Sequence, residues 1–478
     1  MDMNWGDLFV LMRNEILLVA AILVLITLDL FMPKNKKTYV IHAANLLFAI
    51  IMIWSFIPIP EGHLFGGSFV NKPLMGFFKA VMNVGVMLIM LQSVEWVKRD
   101  LLPQGFASEF YVLIWSSLLG LDLMISSGDF LMFYLGLELS ALPIAAAVAF
   151  EFFRHRSAEA AVKYILLAAM SSAIMLFGIS LIYATSGSIY FDDIIKVKEL
   201  PLLELVGFVM LVSGLAFKIS LVPFHFWTAD VYEGAPTVVS NYLSVISKGA
   251  AVFILMILLF IPLRRYEGAW TVMLWILAIA TMFIGNFFAL RQQNMKRFLA
   301  FSSVAQAGFI LLGVIGGNEM AIKTVIYFLL IYIFSNVAAF GVVHVIAMNS
   351  GKENIDDYTG LYRTNPRLSL LLMLALFSLA GIPPVAGFFG KFFLYATAAH
   401  KGFYWLVFIA VVNVTISLYY YLLPIRAAFL RKSEHPIPYF KTDIYSKLGF
   451  VLLAVGLIAI GLYSPLYEYI AQLSKILH

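Results

Sequence analysis

Glu138, Lys218, Lys248 and Lys391 each sit inside a long apolar run, and Lys163 lies about a turn inside another. Their contexts are FLMFYLGLELSALP, GLAFKISLVPFHFW, NYLSVISKGAAVFILM, AGFFGKFFLY and EAAVKYILLAAM. An ionisable group within a bilayer costs between about 2.5 and more than 10 kcal/mol, according to how far it can snorkel or reach water. A glutamate relieves that cost by taking a proton, and a lysine by losing one. To exchange protons near neutrality, a lysine must give up about 4 kcal/mol of its preference for the charged form. A carboxylate close by restores the preference, so bringing Glu138 toward or away from Lys218 would switch the amine between two states. That is the chemistry of a proton relay. His225, two residues past Pro223, is placed to join it.

Blander roles compete with this one. Lys163 is near enough to one end of its run to snorkel. Lys218 and Lys391 flank helix breaks and could simply donate to freed carbonyls, whereas Glu138 and Lys248 have no break to serve. His225 and His344 could be neutral histidines satisfied by one hydrogen bond. Asp29, beside Lys34, Lys36 and Lys37, reads as half of an interfacial ion pair, and Glu95, Asp122 and Asp129 near run ends receive no role. The eight histidines lack any metal-ligand or haem spacing, and the many Phe and Tyr residues read as lipid-facing or core filler.

These groups need a scaffold, and composition says which kind. Of 478 residues, 62% are apolar or aromatic and 12% charged, with a mean hydropathy of +0.93. Soluble domains run near 45–50% and about 25%, so a water-soluble fold is excluded. Apolar runs fall near 15–32, 39–58, 77–97, 107–126, 130–150, 161–184, 202–232, 238–261, 269–290, 298–315, 321–348, 369–398, 403–423 and 448–467. These fourteen segments predict an all-α polytopic membrane protein. The first run, followed by the basic PKNKK, reads as a retained span and not a cleaved signal. Cysteine is absent, so this chain offers no thiolate to an iron–sulfur cluster, a c-type haem, a structural zinc or a disulfide. The net charge of +5 fits basic loops better than a nucleic-acid partner. Odd-numbered loops carry sixteen Lys and Arg residues, against eight in the even loops and tails. Odd loops are therefore expected in the cytoplasm and both termini on the outer, periplasmic side.

Two spans are too long and are interrupted, the seventh at Leu221-Val222-Pro223 and the twelfth at Gly381-Ile382-Pro383-Pro384. Broken backbone survives at membrane depth only where it lines a cavity or is buried in protein. Paired breaks in two halves point to a transport path between inverted repeats. The expected division is a single membrane unit, 1–478, made of three N-terminal spans (1–105), a five-helix repeat of spans 4–8 (106–262), a second repeat of spans 9–13 (263–430) and a last span (431–478).

The segment KISLVPFHFWTADVYEGAPTVVSNYLSVISKGA resembles the hallmark of the antiporter-like membrane subunits of respiratory complex I and of Mrp-type cation/proton antiporters. FYLGLELSALP, NMKRFLAFSSVAQAGF, SLAGIPPVAGFFGKFF and SLYYYL extend the resemblance, in order, over about 105–430. The FHFW…DVYEGAP wording and the short tail after the last span fit one of the three large subunits of this kind. The resemblance implies a proton-translocating subunit of NADH:quinone oxidoreductase in the inner (cytoplasmic) cell membrane, packed against other membrane-arm subunits. It implies that FMN, iron–sulfur clusters, NADH and quinone belong to partner subunits and that this chain binds no cofactor. An Mrp-type antiporter subunit and a non-pumping scaffold are the alternatives. Carried over by position, Glu138 and Lys218 form a first half-channel, Lys248 a central connector and Lys391 a second half-channel, with Lys163 a further family lysine and His225 a possible relay. The chain departs from its relatives at Gln306, where they often have histidine, and at the TAD after Trp227, where they commonly have a proline. A glutamine cannot carry a proton, so a relay there has to use water or a neighbour. Lys391 is expected to mark the exit, with glutamate a better substitute than alanine.

Overall fold

In a bilayer every backbone N–H and C=O must be satisfied within its own segment, so uninterrupted apolar runs close into helices. The computed structural model describes residues 5–151, 153–196 and 201–475. The first six crossings are Arg13–Phe31, Thr38–Ser55, Pro73–Trp96, Ala107–Ile125, Phe130–Val148 and His155–Ser186. The seventh is split into Leu202–Ile219 and Phe226–Gly234. Then follow Thr237–Phe260, Glu267–Leu290, Met295–Ile315 and Glu319–Ser350. The twelfth is split into Pro366–Ala380 and Ala386–His400, and Tyr404–Phe429 and Ile444–Leu462 complete the set. Both interruptions fall where proline and glycine placed them. Lys198, one of the loop charges used for orientation, lies outside the described residues.

The crossings are not equally exposed. The eighth and tenth are buried over their whole apolar window and the eleventh over 94% of it, while the first, sixth and fourteenth are only 28% buried. The molecule is thus built around three enclosed helices with lipid-facing ones outside. Glycine decides how closely some of them approach. A Cβ on Gly120 would stand 2.3 Å from the Ser140 nitrogen, so the fourth and fifth spans meet backbone to backbone. Five spans later a Cβ on Gly285 would stand 2.5 Å from the Ala305 nitrogen, bringing the ninth and tenth together in the same way.

Each break is propped by a hydroxyl. Ser220, at φ +66°, ends the first half of the seventh span, and the Val222 N–H beyond it donates to Thr281 Oγ1 of the ninth span at 3.0 Å. Gly381, at φ +86°, ends the first half of the twelfth, and the Gly387 N–H donates to Ser378 Oγ at 3.1 Å. A third irregularity was not legible in the sequence: the eighth span widens into a π-turn over Leu243–Ser247, immediately before Lys248. Such bulges inside α-helices are frequent at functional sites. A short hairpin, Gly62–Leu64 paired with Phe69–Asn71, also escaped the sequence reading and caps the face that holds the start of the first span.

Candidate functional site

Lys218 is in the last turn of the first half of the seventh span, 8% exposed, and its Nζ donates to Ser140 Oγ at 2.5 Å. Glu138 is half-buried, half a turn earlier on the fifth span, with Oε1 unpartnered. The two do not form a direct ion pair. They line a shared cavity of about 50 Å³ with Tyr164, Ser171 and Ser172. A cavity that size has room for water among polar walls, so acid and base face each other across a hydratable gap. From Ser140 the polar thread turns inward. Its carbonyl accepts from Ser117 Oγ at 2.8 Å, and Tyr242 donates its hydroxyl to Ser117 Oγ at 3.1 Å.

Tyr242 leads to the centre, because it shares the eighth span with Lys248. That lysine is 1% exposed and donates to the Ser303 hydroxyl and, at 3.1 Å, to the Ser303 carbonyl. Nearby Asn336 donates to Ser244 Oγ at 2.8 Å and to the Tyr332 hydroxyl at 3.3 Å. Beyond Ser303 the tenth span presents Ser302, 2.6 Å from the Tyr421 hydroxyl, and Gln306, whose Nε2 donates to that hydroxyl at 3.0 Å and to the Leu379 carbonyl at 2.9 Å. Lys391 shares this carbonyl. Its Nζ donates to Leu379 O at 2.7 Å and Ala380 O at 3.2 Å, the acceptors left free where the twelfth span stops. The neighbouring hydroxyl at Gln306 is that of Tyr421.

The other candidates are placed differently. Lys163 is 41% exposed and paired with Glu159 and Asp230, each at 2.7 Å. Asp230 and Glu233 also bind Arg297 at 2.8 Å each, so the cluster clamps the second half of the seventh span to the tenth. His225 is buried, with Nδ1 unpartnered and its ring 4.6 Å from that of Phe226. His344 is buried with Nε2 unpartnered and takes no part in the thread. Asp29 pairs with Lys37 at 3.1 Å, as expected, and Asp129 caps the fifth span by accepting from Met132 N.

Sequence reasoning missed the uncharged links. Ser117, Ser140 and Ser303 were visible as hydroxyls in apolar runs, but nothing in the sequence said which faced a lysine. Tyr242 and Tyr421, grouped there with filler aromatics, are buried and hydrogen-bonded into the thread. Asp122, there given no role, is fully buried with neither carboxylate oxygen partnered.

Two broken crossings and three buried lysines, held by serine hydroxyls or by open carbonyls, define a polytopic membrane module of the antiporter-like class. The family described as NADH:quinone oxidoreductase/Mrp antiporter, TM, matches residues 127–417, and the chain belongs to it. It is 46% identical, over 98% of both chains, to NADH-quinone oxidoreductase subunit N of Azobacteroides pseudotrichonymphae genomovar. CFP2. It is 45% identical to subunit N of Phocaeicola vulgatus, over 96% of this chain and 98% of that one. Among solved structures, a chain of respiratory complex I from Thermus thermophilus with bound aureothin superposes with a TM-score of 0.78 at 29% identity, covering 95% of this chain and 97% of that one.

Proposed function

We propose that this chain is the N-type membrane-arm subunit of an NADH:quinone oxidoreductase and that it moves protons along the thread from Glu138 and Lys218 through Lys248 to Lys391. One observation carries the reading. Lys218, Lys248 and Lys391 are buried, yet among the described residues none has a carboxylate within ion-pair distance; each is held by a serine hydroxyl or by open carbonyls. A buried lysine that simply keeps its charge is normally paired with a carboxylate, as Lys79 is to Glu15. Amines held by neutral oxygens can release a proton without leaving a naked carboxylate behind.

In this reading the lysine-rich loops face the cytoplasm and both termini the outside, in the inner membrane, and residues 106–262 and 263–430 act as inverted repeats. The repeated glycine contacts and the opposite directions of the two broken spans support that division. Lys218 precedes its break and Lys391 follows its own, so in spans of opposite direction both lie on the outer side. FMN, iron–sulfur clusters and the NADH and quinone sites are assigned to partner subunits, and the driving force reaches this chain through its contacts with other membrane-arm subunits. His225 and Lys163 are placed outside the core relay, Lys163 as a clamp at the cytoplasmic mouth.

Affinity purification of the tagged chain from its own membranes tests the assignment. The expected result is copurification with flavin- and cluster-bearing chains and with NADH:quinone reductase activity. Recovery without them, together with cation-driven proton exchange by the purified material, would make it an Mrp-type antiporter subunit instead.

A further inference from the structure

A second group of buried charges lies outside the thread, among the N-terminal spans. Lys79 of the third span is 1% exposed and forms a short ion pair with Glu15, at the start of the first span. The same ammonium donates to Ser126 Oγ at 2.6 Å, where the fourth span ends, and stands 5.2 Å from the ring centre of Phe69 in the hairpin. One helical turn inward from Ser126 is Asp122, and one turn inward from Lys79 is Asn83, so they lie on the same faces of their helices. Both are 0% exposed, and no polar atom of either side chain has a partner. Asn14, beside Glu15, is in the same condition. Buried polar groups are normally satisfied, so unpartnered ones facing a charge point to an exchangeable ligand.

We propose that Glu15, Lys79 and Asp122 form a proton-release site on the outer side. The proposal rests on the proton-moving reading above. Asp122 lies one turn along the fourth span from Ser126, which accepts from Lys79 at 2.6 Å, and five residues from Ser117, which accepts from Tyr242 at 3.1 Å. The charge balance is simple. One ammonium compensates one carboxylate, and the second acid is compensated by a proton. Starting from the Lys79–Glu15 pair with Asp122 protonated, Lys79 gives one proton to Glu15 and takes the one on Asp122, Glu15 at the head of the span releases its proton to the outside, and Asp122 takes up another from the interior. The trio begins and ends as one ammonium, one carboxylate and one carboxylic acid. Arg13, another cation at this end, is turned away to the Trp54 and Ile57 carbonyls.

The test uses the whole complex in sealed vesicles, with NADH-driven proton movement and NADH oxidation measured together. Asp122→Asn keeps the volume and removes the exchangeable group; it should slow proton movement about tenfold. Asn83→Leu leaves every charge in place and should slow it severalfold. Wild-type rate and protons per NADH in either assembled variant would overturn the proposal and leave the trio as a staple holding the first and third spans to the fourth. If Asp122→Asn does not assemble, Asn83→Leu decides. Lys218→Ala is run beside them: a loss there with normal Asp122→Asn defeats this site alone, while normal pumping in Lys218→Ala defeats the reading beneath it.

Discussion

Ser140→Ala removes one oxygen and tests the geometry around Lys218. In the folded chain that oxygen accepts from the buried ammonium at 2.5 Å, and it donates back to the Leu137 carbonyl at 2.7 Å within its own helix. A hydrogen bond to a charged group contributes about 1.5–3 kcal/mol. Losing it lowers the charged fraction of Lys218 relative to the neutral amine by roughly 10- to 150-fold. Glu138 cannot replace the lost acceptor directly, because it faces Lys218 only across the cavity. Proton movement through this point should therefore fall at least tenfold while the complex still assembles. Ser180→Ala is the matched control, because Ser180 also donates to a carbonyl three residues back, at 2.7 Å, but faces outward, far from any lysine of the thread. The assay is the initial rate of NADH-driven acidification in vesicles, scaled to assembled complex. If Ser140→Ala and Ser180→Ala both match the wild type, the Ser140 hydroxyl has no part in holding the proton.

Three further outcomes follow from the same geometry. Glu138→Gln and Lys218→Ala should each cut coupled activity, and the double variant should lose much less than the product of the two, since both act on one hydrated gap; a fully multiplicative cycle in assembled complex removes the pair. Lys391→Glu should lose as much activity as Lys391→Ala, because a carboxylate there would meet the Leu379 and Ala380 carbonyls, acceptor against acceptor; substantially better turnover with glutamate would show that titration alone suffices. Gly387→Ala would bring a Cβ to 1.8 Å from the Ser378 carbonyl oxygen, whereas Gly268→Ala would meet nothing within 4 Å. The first should destabilise by about 1–3 kcal/mol or more and the second by nothing measurable, as read by thermal unfolding of the purified complex.

Helix positions and breaks were legible because they follow from apolar run length and from proline and glycine, which are local properties. Lys248 was legible for a related reason: a charge at the middle of an apolar run has no innocent place to go. What was illegible depends on tertiary register. The partner of Lys218 is a serine because Gly120 lets the fifth span come close enough to fix Ser140 in place. The expectation that glutamate could serve at position 391 could not take account of the Leu379 and Ala380 carbonyls, which belong to the helix half before the break and face Lys391. Lys163 looked like a membrane lysine by its span, but Asp230 and Glu159 hold it at the surface. Asp122 looked peripheral by its place near a span end, and only the packing of neighbouring spans buries it, one turn from the Ser126 hydroxyl that accepts from Lys79.

Lys248 offers the most direct test of the whole account. It is an enclosed charge on the eighth span, with a serine hydroxyl and a carbonyl as its partners. Arginine there keeps a positive charge and its donors but holds its proton at any accessible pH. Protons moved per NADH oxidised, measured in vesicles containing assembled Lys248→Arg complex, should fall, or turnover should fall with them if the steps are tightly coupled. An unchanged ratio at unchanged turnover would mean that Lys248 supplies only charge, and that protons do not pass along this line of lysines.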